Sequence, residues 1–113
     1  MIDTSVIESE IVNDLTTELE GEDGFNANIL ANKVKLAVRE VMSKRNYSAT
    51  TWNDEKILDD LYNFYSVIEN VARYDYNQIG VEGESSHSEN GISRSYVDRD
   101  TLFKGVHAFV GVI

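Results

Sequence analysis

Residues 53–79 read NDEKILDDLYNFYSVIENVARYDYNQI, and the spacing of their apolar members decides the fold. Ile57, Leu61, Phe64/Tyr65, Ile68, Val71/Ala72, Tyr76 and Ile79 recur at intervals of three and four, which is the period of one helix face and not of a strand. Thr51 or Asn53 is placed to cap this helix, and Asp54 and Glu55 fall in its first turn, where the positive end of the helix dipole favours acids. Gly80 follows the last periodic residue and suits a left-handed C-cap. An unbroken helix over 53–79 would be roughly 40 Å long. Its stripe covers nearly half the circumference, so the pattern predicts the central element of a mainly α domain.

Upstream, two more helices follow from the same period. The chain has no proline, so nothing interrupts a long helix by removing a backbone donor. Val6/Ile7, Ile11, Leu15 and Leu19 predict a first helix over about 4–19, ended by the acidic Gly21–Gly24 loop. Asn26 or Asn28 is placed to cap a second, over about 26–44. Its main stripe is Leu30, Val34, Ala37, Val38, Val41 and Met42, while Ile29 and Leu36 form a smaller apolar face on another side. A helix apolar on two sides has to bury both, in a core or against a neighbour.

Downstream the period changes. Runs of serine, isoleucine, tyrosine and valine flank Glu89-Asn90-Gly91, and Asn-Gly between such runs predicts a β-hairpin over about 84–97. Ile92, Arg94 and Tyr96 share one face of its second strand. Asp98-Arg99-Asp100 reads as a turn or the start of a short helix running into Leu102 and Phe103. Residues 105–113 form an apolar tail that needs cover, since an exposed apolar strand invites aggregation. The expected fold is therefore mainly α: a single domain over 1–113, a small bundle of three main helices with a long central third, a C-terminal hairpin and an extended apolar tail.

Composition excludes several classes. The 113 residues include no cysteine, which rules out disulfides, thiolate metal sites and thiol nucleophiles. Met1 is followed by acidic and polar residues, with no basic-then-apolar secretory pattern, and no stretch is apolar enough to span a bilayer. The expectation is a chain made in the cytoplasm with no membrane association. Net charge is −10, against the positive surface that nucleic-acid binding requires. Residues 1–24 carry eight acids and no base, whereas residues 25–50 carry five bases and one acid. Blocks of opposite sign can pair within one chain, or from one copy to the next.

Candidate chemistry is thin. In Ser85-Ser86-His87-Ser88, adjacent strand residues point to opposite faces, so Ser86 and His87 are badly placed for a nucleophile–base pair. His87 and His107 are the only histidines and lie in different elements, which disfavours a histidine metal site. Glu18, Glu20, Glu22 and Asp23 lack the spacing of a calcium loop and read as a solvated turn. No catalytic residue, metal or cofactor is expected. Tyrosines 62, 65, 74 and 76 crowd the third helix; Tyr65 and Tyr76 belong to its core stripe, while Tyr62 and Tyr74 suit an interface.

Three blocks carry a family resemblance: Val41 to Tyr47, Ile68 to Gly80, and Glu82 to Tyr96, the last containing Ser88-Glu89-Asn90-Gly91-Ile92-Ser93-Arg94-Ser95-Tyr96. Together they resemble the head–tail connector (adaptor) proteins of siphophages and prophages of Gram-positive bacteria, over roughly residues 25–105. The resemblance implies a helical subunit in the neck of a virion, assembling with copies of itself as a ring of about a dozen beneath the portal protein. Such a ring extends the DNA channel, lets DNA pass without sequence-specific binding, and docks the next neck or tail-completion protein. The residues read above as surface-apolar or unsupported then become the candidate assembly interface: Ile29, Leu36, Tyr62, Tyr74, Ile92, Arg94, Tyr96, Phe109, Val110 and Ile113. Two alternatives are a different neck or tail-completion protein, and an acidic binding module that mimics the charge of DNA.

Overall fold

The computed structural model describes residues 2–78 and 99–110, which form four α-helices and two short 3-10 segments with no strand among them. Helix α1 (Ser5–Leu19) buries Ile7, Ile11, Leu15 and Leu19, the stripe its spacing predicts. Val6 does not join it and is 66% exposed, because one residue along a helix is a turn of about 100°. The loop at Gly21–Gly24 closes with Gly24 at φ +79, a conformation that glycine adopts without steric cost.

Helix α2 (Ala27–Arg45) begins at Asn26, whose side-chain oxygen accepts a hydrogen bond from the Ile29 amide at 3.0 Å. It buries Leu30, Val34, Ala37, Val38 and Val41 and ends at Asn46, whose φ of 57 lies in the left-handed region where asparagine is tolerated. A 3-10 turn, Tyr47–Ala49, leads out of it.

The expected continuous third helix is instead two, α3 (Asp54–Asn63) and α4 (Tyr65–Asn77), so the bundle has four helices rather than three. Asn53 caps α3 by accepting from the Lys56 amide at 2.9 Å. At Phe64 the backbone leaves helical geometry (φ −108, ψ 19), and its amide donates to the Leu61 carbonyl at 2.9 Å, one residue nearer than an α-helical bond. Tertiary contacts explain the break. Asp60 is bound by Arg45 and Tyr47, and the Phe64 ring lies beneath the Arg45 guanidinium at 4.9 Å, so the end of α3 is tied to the end of α2. The apolar period runs through Phe64 unaltered, which is why spacing alone gives no sign of it.

Helix α4 ends at Asn77, with the Gln78 amide bonded to Tyr74, short of the expected end at Ile79 and Gly80. Ile79, Gly80 and the hairpin expected over 84–97 lie outside the described residues. Arg99–Phe103 is a 3-10 segment that brings Phe103 into the core.

The core is where α1, α2 and α4 meet, with Leu61 of α3 and Phe103 added at its end. Helix α1 runs parallel to α3–α4, since Glu10, Asp14 and Glu18 face Tyr62, Tyr65 and Arg73 in the same order. The ten largest of the fully buried core side chains include Ile11, Leu15, Leu30, Leu61 and Ile68. Each contributes about 1.5–3 kcal/mol on burial.

Candidate functional site

Three arginines organise the polar surface, and each joins elements distant in sequence. Arg45, at the end of α2, donates through Nε and NH2 to Asp60 at 2.9 and 3.0 Å, and the Tyr47 hydroxyl donates to the same carboxylate at 2.6 Å. Burial, then the Asp60 charge, pushes the Tyr47 phenol up, so it stays protonated and able to donate. Arg99 lies between Asp75 of α4 and Glu40 of α2 and donates to both carboxylates at 2.7–2.9 Å. Arg73 of α4 donates to Glu18 of α1 at 2.7 and 2.9 Å and reaches Glu69 at 3.4 Å.

Arg73 belongs to a seam between α1 and α3–α4. Along it the Tyr62 hydroxyl donates to Glu10 and the Tyr65 hydroxyl to Asp14, the latter at 2.5 Å. Burial, then the Asp14 carboxylate, raises the Tyr65 phenol. Three of the eight acids of the N-terminal block, Glu10, Asp14 and Glu18, thus find partners in α3–α4, and among the described residues none of these three is bonded to a base of α2. Spacing held a usable signal: Glu10, Asp14 and Glu18 recur every four residues, as do Glu69 and Arg73, so both helices present a polar stripe beside the core stripe.

Part of the apolar tail has its cover: Val106 and Phe109 are half-buried, and residues 111–113 lie outside the described residues. The Phe109 amide donates to the Arg45 carbonyl at 2.8 Å, the Asn46 side chain donates to the Phe109 carbonyl at 3.2 Å, and Arg45 NH1 donates to the His107 carbonyl at 2.8 Å. The Phe109 ring meets Trp52 edge-on at 4.7 Å and lies 4.0 Å from the Arg45 guanidinium. Phe109 is therefore half-buried within the chain, while Val110 next to it is 82% exposed.

Of the other candidate interface residues, Ile29, Leu36 and Tyr62 are 37%, 45% and 40% exposed, and Tyr74 is half-buried. Ile92, Arg94, Tyr96 and Ile113 lie outside the described residues. The sequence reading missed Val6 as a surface residue: its exposed side chain precedes Glu10, the partner of Tyr62, by one turn of α1.

Nothing among the described residues gathers three metal-ligating side chains. The depressions are open: the one between α1 and α2 holds about 480 Å³ and is lined by Ser5, Ser9, Asn13, Asn32 and Lys35 among others. No helix among the described residues is long and apolar enough to cross a membrane. The described residues make a helical bundle whose distinctive features lie on its outer faces, in a seam, a clamped tail and exposed apolar side chains. Comparison with protein-family models, curated proteins and solved structures gives no match for the chain.

Proposed function

We propose that the chain is a structural, non-enzymatic subunit of a phage neck, assembling as a ring beneath the portal to join the DNA-filled head to the tail. The observation that carries this reading is the sequence string Glu82 to Tyr96, with its Ser-Glu-Asn-Gly-Ile-Ser-Arg-Ser-Tyr core, which resembles the connector proteins. It is supported by the outer faces of the bundle: Ile29, Leu36 and Tyr62 are large apolar or aromatic side chains left in solvent on a small domain. An acidic chain also suits a channel that must pass DNA without holding it. On this reading the protein is made in the bacterial host cytoplasm and ends in the virion neck, touching itself, the portal and the next neck protein.

The test is assembly. Purified chain, alone and mixed with portal rings, is examined by light scattering and electron microscopy. Rings, alone or seated on portal, are expected, and Arg94→Glu is expected to weaken them. A chain that stays monomeric at high concentration and also ignores portal would sink the proposal. The DNA-mimic alternative is less favoured, because Glu10, Asp14 and Glu18 are already bonded to Tyr62, Tyr65 and Arg73. Tight binding to a DNA-processing enzyme would revive it.

A further inference from the structure

Helices α1, α2 and α4 pack on one another as a triangle, so the outward face of α2 and the seam of α1 with α3–α4 look in opposite directions. The two faces differ in chemistry. On α2, Ile29 and Leu36 are exposed two turns apart, and the exposed Arg39 follows Leu36 by three residues, while Lys35 borders the depression between α1 and α2. The acid of this helix, Glu40, is drawn aside by Arg99, with two hydrogen bonds of 2.7 and 2.9 Å, so the outward face is apolar and cationic. The seam carries Glu10, Asp14 and Glu18 beside the exposed Val6 and Tyr62, and its cation Arg73 is bound by Glu18 and Glu69. That face is apolar, aromatic and anionic.

We infer that these two faces meet between neighbouring copies of this chain, the outer face of α2 in one copy on the α1/α3–α4 seam of the next. This inference rests on the connector reading and supplies its subunit contact. Leu36 and Ile29 give one side apolar area, and Val6 and the Tyr62 ring give the other. Arg39 faces carboxylates that carry more negative charge than Arg73 neutralises. Charge complementarity selects a second copy, because each face rejects its own kind: two α2 faces bring cations together and two seams bring carboxylates together. The contact is heterologous, each copy using both faces, so it repeats from copy to copy and closes into a ring when the rotation allows.

Sedimentation velocity on the full chain tests the pairing with one variant per face. Arg39→Glu is expected to weaken self-association by about tenfold or more, while Lys104→Glu, which makes the same change in net charge away from both faces, leaves it nearly unaltered. Glu10→Lys is expected to do on the seam what Arg39→Glu does on α2. Circular dichroism checks that it folds, and Val6→Asp replaces it if it does not. Mixing the two variants is expected to restore association, beginning with a heterodimer, since each retains the face the other lacks and their two reversed charges are again opposite in sign. Variants that assemble like the wild type, or a mixture that forms no heterodimer, overturn the pairing and leave a wild-type ring standing by another contact. A wild-type chain that stays monomeric at millimolar concentration also overturns it, and the connector reading falls only if portal binding fails as well.

Discussion

Asp60 accepts hydrogen bonds from Arg45 Nε and NH2 and from the Tyr47 hydroxyl, with side-chain exposures of 13% for the arginine and 11% for Asp60 itself. Removing the carboxylate leaves a guanidinium and a phenol short of a partner where water scarcely reaches. Asp60→Ala is expected to cost about 2–4 kcal/mol, read as a lower midpoint of urea unfolding, and Asp60→Asn less, since its amide oxygen still accepts. A loss within experimental scatter for Asp60→Ala would mean that solvent replaces the carboxylate without penalty. Other carboxylates make stability depend on pH. A hydrogen bond from Arg99 holds Glu40 below its ordinary value of 4.5, and one from Arg73 does the same for Glu18. The folded chain takes up these protons less readily than the unfolded one. Their stabilisation is therefore full above the ordinary value and is lost as pH falls through the lowered values. Glu69 works the other way: burial, then Asp14, raises it, so its contribution is full at low pH and is lost as pH rises through the raised value. With three lowered carboxylates, Asp3 being the third through its hydrogen bond from the Ser5 amide, against one raised, thermal melts are expected to show falling stability on acidification below the ordinary carboxylate range. Arg99→Gln is expected to flatten that fall.

Among the elements, those whose pattern is local were legible in the sequence. Helix α1 follows from apolar residues four apart, and α2 from its stripe and the capping Asn26. The 3-10 segment at Arg99–Phe103 matches the second of the two readings of that stretch, a turn or the start of a short helix. What sequence spacing does not encode is contact at long range. The break at Phe64 is set by Arg45 and Tyr47, thirteen or more residues upstream of Asp60, and the seat of Phe109 is made by Arg45, Asn46 and Trp52. The candidate site was legible in the same partial way: Ile29 and Leu36 were visible as a second apolar face, but the blocks of charge did not point to tyrosines as the partners of Glu10 and Asp14. The clamped tail gives a direct measurement, because Trp52 is the chain's one tryptophan. Phe109→Ala removes the ring that meets it edge-on at 4.7 Å. The expected result is a red-shifted Trp52 emission and a loss of about 1–3 kcal/mol, combining an aromatic pair with a half-buried ring. An unchanged spectrum would show that the tail does not rest on Trp52 in solution.

At the scale of the whole molecule, net charge and ion pairing pull against each other. The chain carries −10 on a body whose extents are 51 × 28 × 18 Å. At an ionic strength of about 0.01 M the screening length is about 30 Å, so acids on both sides of the thin axis repel one another; at about 0.15 M it is about 8 Å and they scarcely do. Arg45, Arg73 and Arg99 each hold carboxylates at hydrogen-bond distance, and contacts this short and partly shielded lose less to salt. Exposed Glu20, Glu22, Asp23, Asp54, Glu55 and Asp59 carry charge that salt relieves. Raising salt at dilutions where copies do not associate is therefore expected to raise the melting temperature. A relief of about 1 kcal/mol corresponds to a rise of about 4 °C. Arg73→Gln should enlarge that rise, because it deprives Glu18 and Glu69 of their cation and adds one unit to the excess of negative charge. Differential scanning calorimetry of the two proteins across a salt series measures both slopes. A melting temperature that falls with salt in the wild type would mean that the arginine pairs outweigh the repulsion, and the acidic block of residues 1–24 would then be a net source of stability.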